Sequence, residues 1–356
     1  MSERLIQLIA IITIICLTDA MAQDTVPAHA FFTALPAHSL YKFPPSSAEL
    51  VQFRAAYTHK GVSYPFVMAG KDPRKAVSPT VVPTFIIPIK LVYGQSNGNR
   101  TFDPNTPAFN GMSTIRMVQA SPLMKGSVHF VQGGTDVGKT QYIDAFQRAN
   151  FWAIVKNKPN YHTVLNTPVV LPTQTHDVSV LEGQVATEYG KTVGLMDVNA
   201  LDNLIQGYLV KFSQINPGTL PIFVTYDVYL TSPLCCIGGY HSNTAGPPSA
   251  QTYIFTTAID QGTGVFSQDV AAMSHEIGEW MDNPFFGTNH VPCTDNSQME
   301  VGDPLVLHDK PYTVNGFTYH LQDLVFIDYF GASSGLPVNH WLSFNNDEKN
   351  TCPGLP

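Results

Sequence analysis

The sequence is poor in charged side chains. Of its 356 residues, 19 are Lys or Arg and 27 are Asp or Glu, so 13% are charged, whereas an average soluble domain has about 25%. The net charge of -8 argues against nucleic-acid binding, which needs a basic surface. The 26 glycines and 27 prolines follow no fixed period, which excludes collagen, and 44% hydrophobic residues exclude a wholly disordered chain. No internal repeat or low-complexity tract is present.

Long apolar runs are absent after the N-terminal segment, so no later segment is predicted to span a membrane. In that segment Arg4 precedes an apolar run at 5–17, and residues 20–22 (Ala-Met-Ala) have the small-x-small pattern of a cleavage site. About 13 apolar residues are too few to cross roughly 30 Å of hydrocarbon as a helix. We therefore predict a signal peptide at 1–22 and a secreted or periplasmic protein with no membrane anchor after cleavage.

Cysteine is scarce, and four cysteines remain after the predicted cleavage: Cys235, Cys236, Cys293 and Cys352. An even number in an exported chain favours disulfide bonds. Since adjacent cysteines have poor geometry for bridging each other, we expect the two adjacent residues to pair with the two distant ones. The sequence leaves the order of pairing open, and four unpaired core thiols are the alternative.

The mature chain is predicted to be an N-terminal arm or extension followed by one α+β domain. Residues 23–75 are rich in Pro, Ala and aromatic residues without clear periodicity and are assigned to the arm, and residues 76–356 are assigned to the domain. Strands are expected at 81–93, 128–132, 163–171, 221–230, 252–258 and near 312–324, and helices at 140–152, 198–212 and 267–282. Asp197 is the expected N-cap of the second helix, and Pro284 is expected to end the third. The two prolines in 81–93 predict that this strand lies near a sheet edge.

Residues 133–140 (GGTDVGKT) match the phosphate-binding loop pattern G-x-x-x-x-G-K-[ST]. They follow a predicted strand and precede a predicted helix, so backbone N–H groups would cradle phosphate and Lys139 would reach the outer phosphates. Asp227, near the end of a strand, would be the acidic magnesium partner. Nucleotide hydrolysis needs intracellular ATP or GTP, however, and this chain is predicted to be exported. We therefore favour a glycine-rich turn leading into the helix near Thr140, with a nucleotide-binding protein as a less favoured alternative.

A second pattern, H-E-x-x-E at 275–279, lies on a predicted helix. Residues at i and i+4 share one helix face, so His275 and Glu279 offer an imidazole and a carboxylate to one Zn²⁺. Glu276 lies about 100° round the helix. There it is placed to act as general base on a water, as the central Glu does in H-E-x-x-H metallohydrolases.

Carboxylates further along the chain supply the remaining ligand. Glu300 is the predicted third ligand and Asp303 is its substitute. Asp282 continues the helix stripe at i+7 and is a candidate to orient a ligand. The alternative is an exposed helical face carrying acids, which is disfavoured because apolar residues flank the pattern and give the helix a face to bury.

Three separated motifs together resemble those of the plant exordium (phosphate-induced) proteins and their bacterial secreted relatives. They are Gly239-Tyr240-His241-Ser242, the 275–279 pattern followed by Asp282-Asn283-Pro284, and Glu300-Val301-Gly302-Asp303. The resemblance is clearest over 240–303 and extends loosely to 140–152. It implies an exported, disulfide-containing protein with a zincin-like helix and carboxylate loop, in a family associated with extracellular or cell-wall roles.

Glu279 stands where the better-known zincins have a second histidine. A carboxylate there adds negative charge and hardness, so Ca²⁺ or Mn²⁺ becomes an alternative to Zn²⁺. His241 is a candidate extra ligand or transition-state donor, although a lone histidine in a glycine-rich loop is more often structural.

The patterns and the resemblance together predict an α+β, zincin-like fold. In it a mixed β-sheet packs on the metal-site helix, with a β-rich and loop-rich periphery. The predicted function is a secreted zinc-dependent, peptidase-like hydrolase of a peptide or cell-wall substrate, with no nucleic-acid partner. Its ion is held by His275, Glu279 and Glu300, and Glu276 activates the water. A non-catalytic extracellular or cell-wall-associated module with a structural cation is the alternative.

Overall fold

The computed structural model describes residues 48–244, 250–260, 267–293 and 298–352 as a mixed α/β fold. The predicted signal peptide (1–22) and residues 23–47 of the predicted arm lie outside the described residues. Among the helices of the described part, none is long and apolar enough to cross a membrane.

The elements of the described residues are numbered here in chain order. The strands are β1 (Gln52–His59), β2 (Val62–Ala69), β3 (Thr80–Val82), β4 (Thr84–Tyr93), β5 (Arg100–Phe102), β6 (Pro107–Phe109), β7 (Met112–Ser113), β8 (Val128–Gln132), β9 (Thr135–Thr140), β10 (Thr163–Leu165), β11 (Val169–Val170), β12 (Gln174–Val178), β13 (Gly183–Glu188), β14 (Lys191–Asp197), β15 (Leu220–Tyr226), β16 (Val228–Thr231), β17 (Cys235–Ile237), β18 (Gly239–Asn243), β19 (Thr252–Ala258), β20 (Asp309–Val314) and β21 (Phe317–Gln322). The α-helices are α1 (Thr114–Ala120), α2 (Tyr142–Asn150), α3 (Trp152–Val155), α4 (Val198–Lys211) and α5 (Ala271–Asp282).

A seven-stranded mixed sheet forms the centre of the fold. Its main order is β11-β4-β15-β19-β18, and β5 and β12 pair with the second half of β4. Strands β11, β4, β15 and β19 run parallel, whereas β18 is antiparallel to β19. All residues of β19 are buried, and β15 is buried except at its last residue. Such continuous burial is typical of parallel strands that are covered on both faces.

Alternate residues of these strands belong to two hydrophobic clusters. Ile222 and Ile254 lie in the cluster that contains Ile277 of α5, whereas Phe223 lies in the cluster that contains Ile205 of α4. Because strand side chains alternate between faces, α5 and α4 cover opposite faces of the sheet. This arrangement confirms the predicted mixed sheet packed on the helix that carries the H-E-x-x-E pattern.

Strand β4 is central, so the predicted edge position of residues 81–93 is wrong. Pairing of β11 with β4 ends at Ile86, and pairing of β12 with β4 begins at Ile89. Leu171 N donates to Ile86 O, so the backbone of Ile86 faces the side on which β11 lies. Residues two apart in a strand direct their backbone groups to the same side, so the backbone of Pro88 faces that side as well. Pro88 therefore lies in the gap between two partner strands, where its missing N–H costs no ladder hydrogen bond.

The predicted irregular arm contains a regular hairpin. Strands β1 and β2 pair antiparallel, and Lys60 (φ 47°) and Gly61 (φ 80°) make the two-residue turn between them. Two positive φ values are what a tight hairpin turn of this kind requires. Phe53 and Phe66 are buried in the same cluster as α5. Residues 52–69 are therefore part of the packed fold, and the interpretation of this segment as irregular is wrong.

The predicted helices are present with shorter bounds. Helix α4 begins after Asp197, whose side chain accepts a hydrogen bond from Ala200 N at 2.9 Å, which confirms the predicted N-cap. Residues 140–152 contain α2 and the start of α3. Helix α5 begins at Ala271 rather than at residue 267.

Residues 133–140 form the turn and the second strand of a β-hairpin, not a phosphate-binding loop. Strands β8 and β9 pair antiparallel with His129 opposite Lys139, and Gly133 (φ 55°) and Gly134 (φ 84°) form the turn. A phosphate-binding loop presents free backbone N–H groups at the start of a helix. Here the corresponding backbone belongs to β9, so the nucleotide alternative is wrong on geometric grounds and the glycine-rich turn is confirmed.

Asp227, the suggested magnesium partner in that alternative, is held in an ion pair. Its Oδ1 lies 2.7 Å from Lys191 Nζ and accepts a hydrogen bond from Asp260 N at 3.2 Å. These contacts assign Asp227 a role in holding β14, β15 and the end of β19 together.

The disulfides differ from the predicted pairing. Cys235 is bonded to Cys236, and Cys293 is bonded to Cys352, so both the crossed pairing and the free thiols are wrong. Cys236 lies in a small hydrophobic cluster around Val193, whereas Cys352 lies in the main cluster. The fold places the two sets in different clusters, so among the cysteines of the described residues the adjacent pair has only each other as partners. Disulfides fit an oxidising compartment.

Candidate metal centre

Helix α5 is the buried element on which the candidate site is built. All twelve of its residues are buried, and Trp280 Nε1 donates to Thr252 Oγ1 of β19 at 3.0 Å. Gly278 allows a close approach, because a Cβ at this position would lie 2.5 Å from Leu324 Cδ1. The helix ends at Asp282, just before Asn283 and Pro284, since proline cannot continue it. Its polar residues therefore face protein and not solvent.

Side chains from three segments meet at this helix. His275, Glu276 and Glu279 come from α5, His241 comes from β18, and Glu300 and Asp303 come from the segment that leads into a short 3-10 turn at Asp303–Leu305. Five of these residues are between 0% and 3% exposed, namely His275, Glu276, Glu279, His241 and Glu300. The Asp303 side chain is 31% exposed, so it marks the side of the cluster that is open to solvent.

The ring of His275 is fixed by Gln322 of β21. Gln322 Nε2 donates to Gly302 O at 2.6 Å, which leaves its Oε1 to accept from His275 Nδ1 at 3.1 Å. With the proton on Nδ1, the lone pair is on Nε2. That nitrogen lies 3.0 Å from Glu279 Oε1 and 3.7 Å from Asp303 Oδ1.

Glu279 lies between the two imidazoles. Its Oε1 faces His275 and also accepts a hydrogen bond from Gly302 N at 3.1 Å. Its Oε2 lies 3.6 Å from His241 Nδ1. The predicted i, i+4 geometry of His275 and Glu279 is therefore present, and the carboxylate is directed towards a further histidine as well.

His241 is at the centre of the cluster, not in a solvated loop. Its Nδ1 is 3.4 Å from Glu276 Oε2, and its Nε2 is 3.8 Å from Glu300 Oε2. Neither ring nitrogen makes a hydrogen bond to a described residue. The pairing of β18 with β19, which puts His241 opposite Ile254, holds the imidazole in place over α5.

Glu300 and Asp303 lie near different histidines of the cluster, although Glu300 was the predicted third ligand beside His275. Asp303, the predicted substitute, is grouped with His275 and Glu279. Glu300 instead approaches His241, and its Oε1 accepts from Asn283 Nδ2 at 3.1 Å. The geometry thus favours Asp303 as the third ligand beside His275.

Asp282, the predicted i+7 residue, packs against another helix. Its Oδ2 lies 3.4 Å from Asn150 Nδ2 of α2. Burial raises the pKa of Asp282 to about 8, since burial disfavours the charged form of a carboxyl group. Its contacts tie α5 to α2, and none of them reaches a group of the candidate site.

Two glycines make room for the cluster. A Cβ on Gly302 would lie 2.4 Å from His275 Nδ1, and a Cβ on Gly239 would lie 2.8 Å from Glu276 Cγ. Real Cβ atoms do not approach other atoms so closely, so any larger residue would push the imidazole or the carboxylate away. Gly239 and Gly302 of the 239–242 and 300–303 motifs are therefore explained by the close approach of the Glu276 and His275 side chains to their backbone.

Burial and crowding shift the pKa values within the cluster. Burial raises the pKa of Glu276 to about 7, although the two imidazoles oppose the rise. Burial alone would also raise the pKa of Glu279, but His275 and His241 hold it well below its usual range. Burial and the charge of Glu279 raise the pKa of Glu300. The site therefore gathers buried carboxyl groups that resist ionisation on their own, and a bound cation would favour their charged form.

Two overlapping groups of side chains in the cluster can hold a metal ion. One is His275, Glu279 and Asp303, and the other is His241, Glu276 and Glu279. Two ligands at about 2.1 Å in tetrahedral geometry lie roughly 3.4 Å apart, close to the 3.0–3.7 Å separations of the ion pairs within these groups. Their donors are imidazole nitrogens and carboxylate oxygens, which suit Zn²⁺ and Mn²⁺.

A third group, Glu188 with Cys235 and Cys236, is also close enough to hold an ion. Its two sulfurs are joined in a disulfide, however, and only thiolates are strong metal ligands. We therefore assign no ion to it in the oxidised protein.

Comparison of the chain with family models, with curated proteins and with solved structures finds no match.

Sequence reasoning missed Gln322 and Asn283 and underrated His241. Gln322 and Asn283 are neutral amides that hold ligand candidates by hydrogen bonds, and no spacing rule points to them. The one available signal was Gly239, two residues before His241 on the same strand, because a glycine in a strand often marks the close approach of another group.

Proposed function

We propose that this protein is an exported metal-dependent hydrolase of the peptidase-like type, with one catalytic ion held by His275, Glu279 and Asp303. The observation that carries the proposal is the approach of Glu279 Oε1 and Asp303 Oδ1 to His275 Nε2, at 3.0 and 3.7 Å. This donor set leaves a tetrahedral ion one position for water, as catalytic zinc sites require. The partly exposed Asp303 gives that position a route to substrate.

An ion bound there would polarise a substrate carbonyl and lower the pKa of a water molecule. Glu276 is next to both ligand residues of α5 and has a pKa near neutrality, which suits a general base. In the proposed reaction its carboxylate accepts the proton of the attacking water and then donates it to the leaving group. Gln322 keeps the His275 lone pair on Nε2 throughout.

Zn²⁺ is the proposed ion, with Mn²⁺ or Ca²⁺ as alternatives. Two of the three proposed ligands are carboxylates, which favour harder ions than a pair of imidazoles would. The substrate class is a peptide or a cell-wall component. The zincin-like classification and the relation to exordium proteins belong to this proposal and are supported by the three sequence motifs. The two disulfides support the exported location.

The proposal is tested by comparing His275→Ala with Glu276→Gln. We expect His275→Ala to weaken the tightest-bound zinc by more than roughly 100-fold, since loss of even an outer partner costs 10–100-fold. Glu276→Gln should leave that zinc in place and lower kcat by about 100-fold or more. Zinc affinity is measured by chelator competition, and hydrolysis is measured on a fluorogenic peptide library and a cell-wall preparation. Equal zinc affinity in the two variants would contradict the assignment.

A non-catalytic module with a structural cation is the second candidate, and the burial of the cluster favours it. Five of the six residues are at most 3% exposed. For this candidate, a chelator lowers Tm and added cation restores it, while no library member is hydrolysed. Hydrolysis that depends on Glu276 would exclude it.

A further inference from the structure

A second cation-binding group lies on the other side of Glu279. It consists of His241 Nδ1, Glu276 Oε2 and Glu279 Oε2, with the two oxygens 3.4 and 3.6 Å from the nitrogen. We infer that this group binds a second divalent cation, so that the two ions share Glu279 as a bridging carboxylate. The site stands on geometry and charge, while its consequence for activity depends on the proposed function.

The first support is the environment of His241. The residue is 0% exposed, and neither ring nitrogen makes a hydrogen bond to a described residue. Buried polar atoms without hydrogen bonds are costly and rare. The oxygens nearest to Nδ1 lie beyond normal hydrogen-bond length, which is about 2.7–3.2 Å. Their distances instead match the spacing of roughly 3.4 Å between two ligands of one tetrahedral ion.

The second support is the orientation of Glu279. Its Oε1 faces His275 Nε2 and its Oε2 faces His241 Nδ1. A carboxylate that presents each oxygen to a different imidazole is placed to bridge two ions. Ions in two-metal sites lie about 3.5–4 Å apart, a distance that one bridging carboxylate spans.

The third support is the charge balance. Four carboxylates (Glu276, Glu279, Glu300 and Asp303) surround two imidazoles, and the ion pairs that they form within the described residues are with histidine alone. With neutral imidazoles and all four carboxylates ionised, the cluster carries -4, so one divalent ion leaves -2 and two divalent ions leave zero. Uncompensated charge is strongly disfavoured in a buried site.

The imidazole of His275 is also held from behind, because Gln322 Oε1 accepts from His275 Nδ1. A polar group on the outer nitrogen directs the other nitrogen to the metal in many histidine-ligated sites. Glu300 Oε2 faces the outer nitrogen of His241 at 3.8 Å, without a hydrogen bond.

The second ion would engage Glu276, which the proposed function uses as general base. A carboxylate bound to a cation is a poor proton acceptor, so hydrolysis is expected to fall as the second site fills. The second site would thus make activity sensitive to the concentration of free divalent cation.

The test is to titrate metal-free, folded protein with Mn²⁺ and to count bound ions by equilibrium dialysis with metal analysis. We expect two ions in the wild type, one in His241→Gln and one in Glu276→Gln. The matched control Glu188→Gln, in the group that contains the vicinal disulfide, should bind two. Electron paramagnetic resonance should show an exchange-coupled Mn²⁺ pair in the wild type and an isolated ion in His241→Gln.

Saturation of the wild type at one ion would overturn the inference, as would two ions in both site variants. If His241→Gln fails to fold, Glu276→Gln supplies the same comparison, because the side chain it introduces has nearly the same size. Two ions without hydrolysis of any substrate would overturn the proposed function and leave the second site standing. Hydrolysis by a wild-type protein that binds only one ion would overturn the second site and leave the proposed function standing.

Discussion

The β8–β9 hairpin and helix α5 each bring a histidine and an acid together at a similar distance. His129 Nε2 lies 3.2 Å from Asp136 Oδ2 in the hairpin, and His275 Nε2 lies 3.0 Å from Glu279 Oε1 in the helix. The hairpin side chains are 55% and 57% exposed, whereas those of the helix are 0% and 4% exposed.

This difference in exposure decides what the two regions can do. Water screens an exposed pair, which contributes about 0–1 kcal/mol. The buried pair is surrounded by further carboxylates that only a cation or protons can neutralise. A short polar motif is therefore informative about a site when distant segments add to it, as β18 and residues 300–303 add to α5.

The largest expected contrast between the regions comes from two glycine substitutions. Gly302→Ala places a methyl group against His275, and we expect metal affinity to fall by roughly 10–100-fold, as for loss of an outer-shell contact. Overpacking should also lower the free energy of unfolding by about 1–3 kcal/mol. Chelator competition and denaturant unfolding measure the two effects.

The matched control is Gly134→Ala in the hairpin turn. No atom lies within 4 Å of the added methyl, but φ is +84°, so we expect a loss of about 1 kcal/mol from backbone strain and unchanged metal affinity. An equal loss of metal affinity in both variants would show that His275 is displaced by general destabilisation and not by contact.

A second contrast is expected in the pH dependence of stability. The pKa of Asp282 is raised to about 8 in the fold from about 3.9 in the unfolded chain, so the native state binds the extra proton between these values. Stability should therefore fall as pH rises through this window, by up to roughly 1.4 kcal/mol per pH unit from this group. The free energy of unfolding, measured with urea between pH 4 and 8, should fall less steeply with pH in Asp282→Asn than in the wild type.

The control for this measurement is Asp136→Asn, an exposed carboxyl of the hairpin, which should keep the wild-type slope. An unchanged slope in Asp282→Asn would mean that Asp282 is already ionised in the folded protein.

The smallest effect is expected for Lys139→Ala. Lys139 is exposed in β9, so the free energy of unfolding should change by less than about 0.5 kcal/mol. Calorimetry with ATP and Mg²⁺ should detect no binding by the wild type or by the variant. ATP binding that disappears with Lys139 would contradict the hairpin assignment and restore the nucleotide alternative.

Local patterns predicted the parts of the fold that depend on neighbouring residues. The helical spacing of 275–279 and the stop at Pro284 correctly predicted helix α5 and the shared face of His275 and Glu279. Asp197 likewise predicted the start of α4. These features depend on hydrogen bonds and sterics within a few residues.

Features that depend on distant pairing were not predictable in this way. His241 reaches Glu279 because β18 pairs with β19 at the edge of the sheet, and the choice between Glu300 and Asp303 depends on how one loop crosses α5. The central position of β4 depends on the gap between β11 and β12 that accommodates Pro88. The spacing of residue types along the sequence does not indicate such contacts between distant segments.

The side chain of Asn289 connects two segments that are far apart in the sequence. Its amide donates to Val67 O and to Asp282 O, both at 2.7 Å, and its carbonyl accepts from Val67 N at 2.8 Å. One side chain thus fastens strand β2 to the final turn of α5 across 222 positions of sequence. As a result, loosening of the first hairpin would be transmitted to the ion-binding helix, and the chain must be nearly complete before that helix acquires all of its supports.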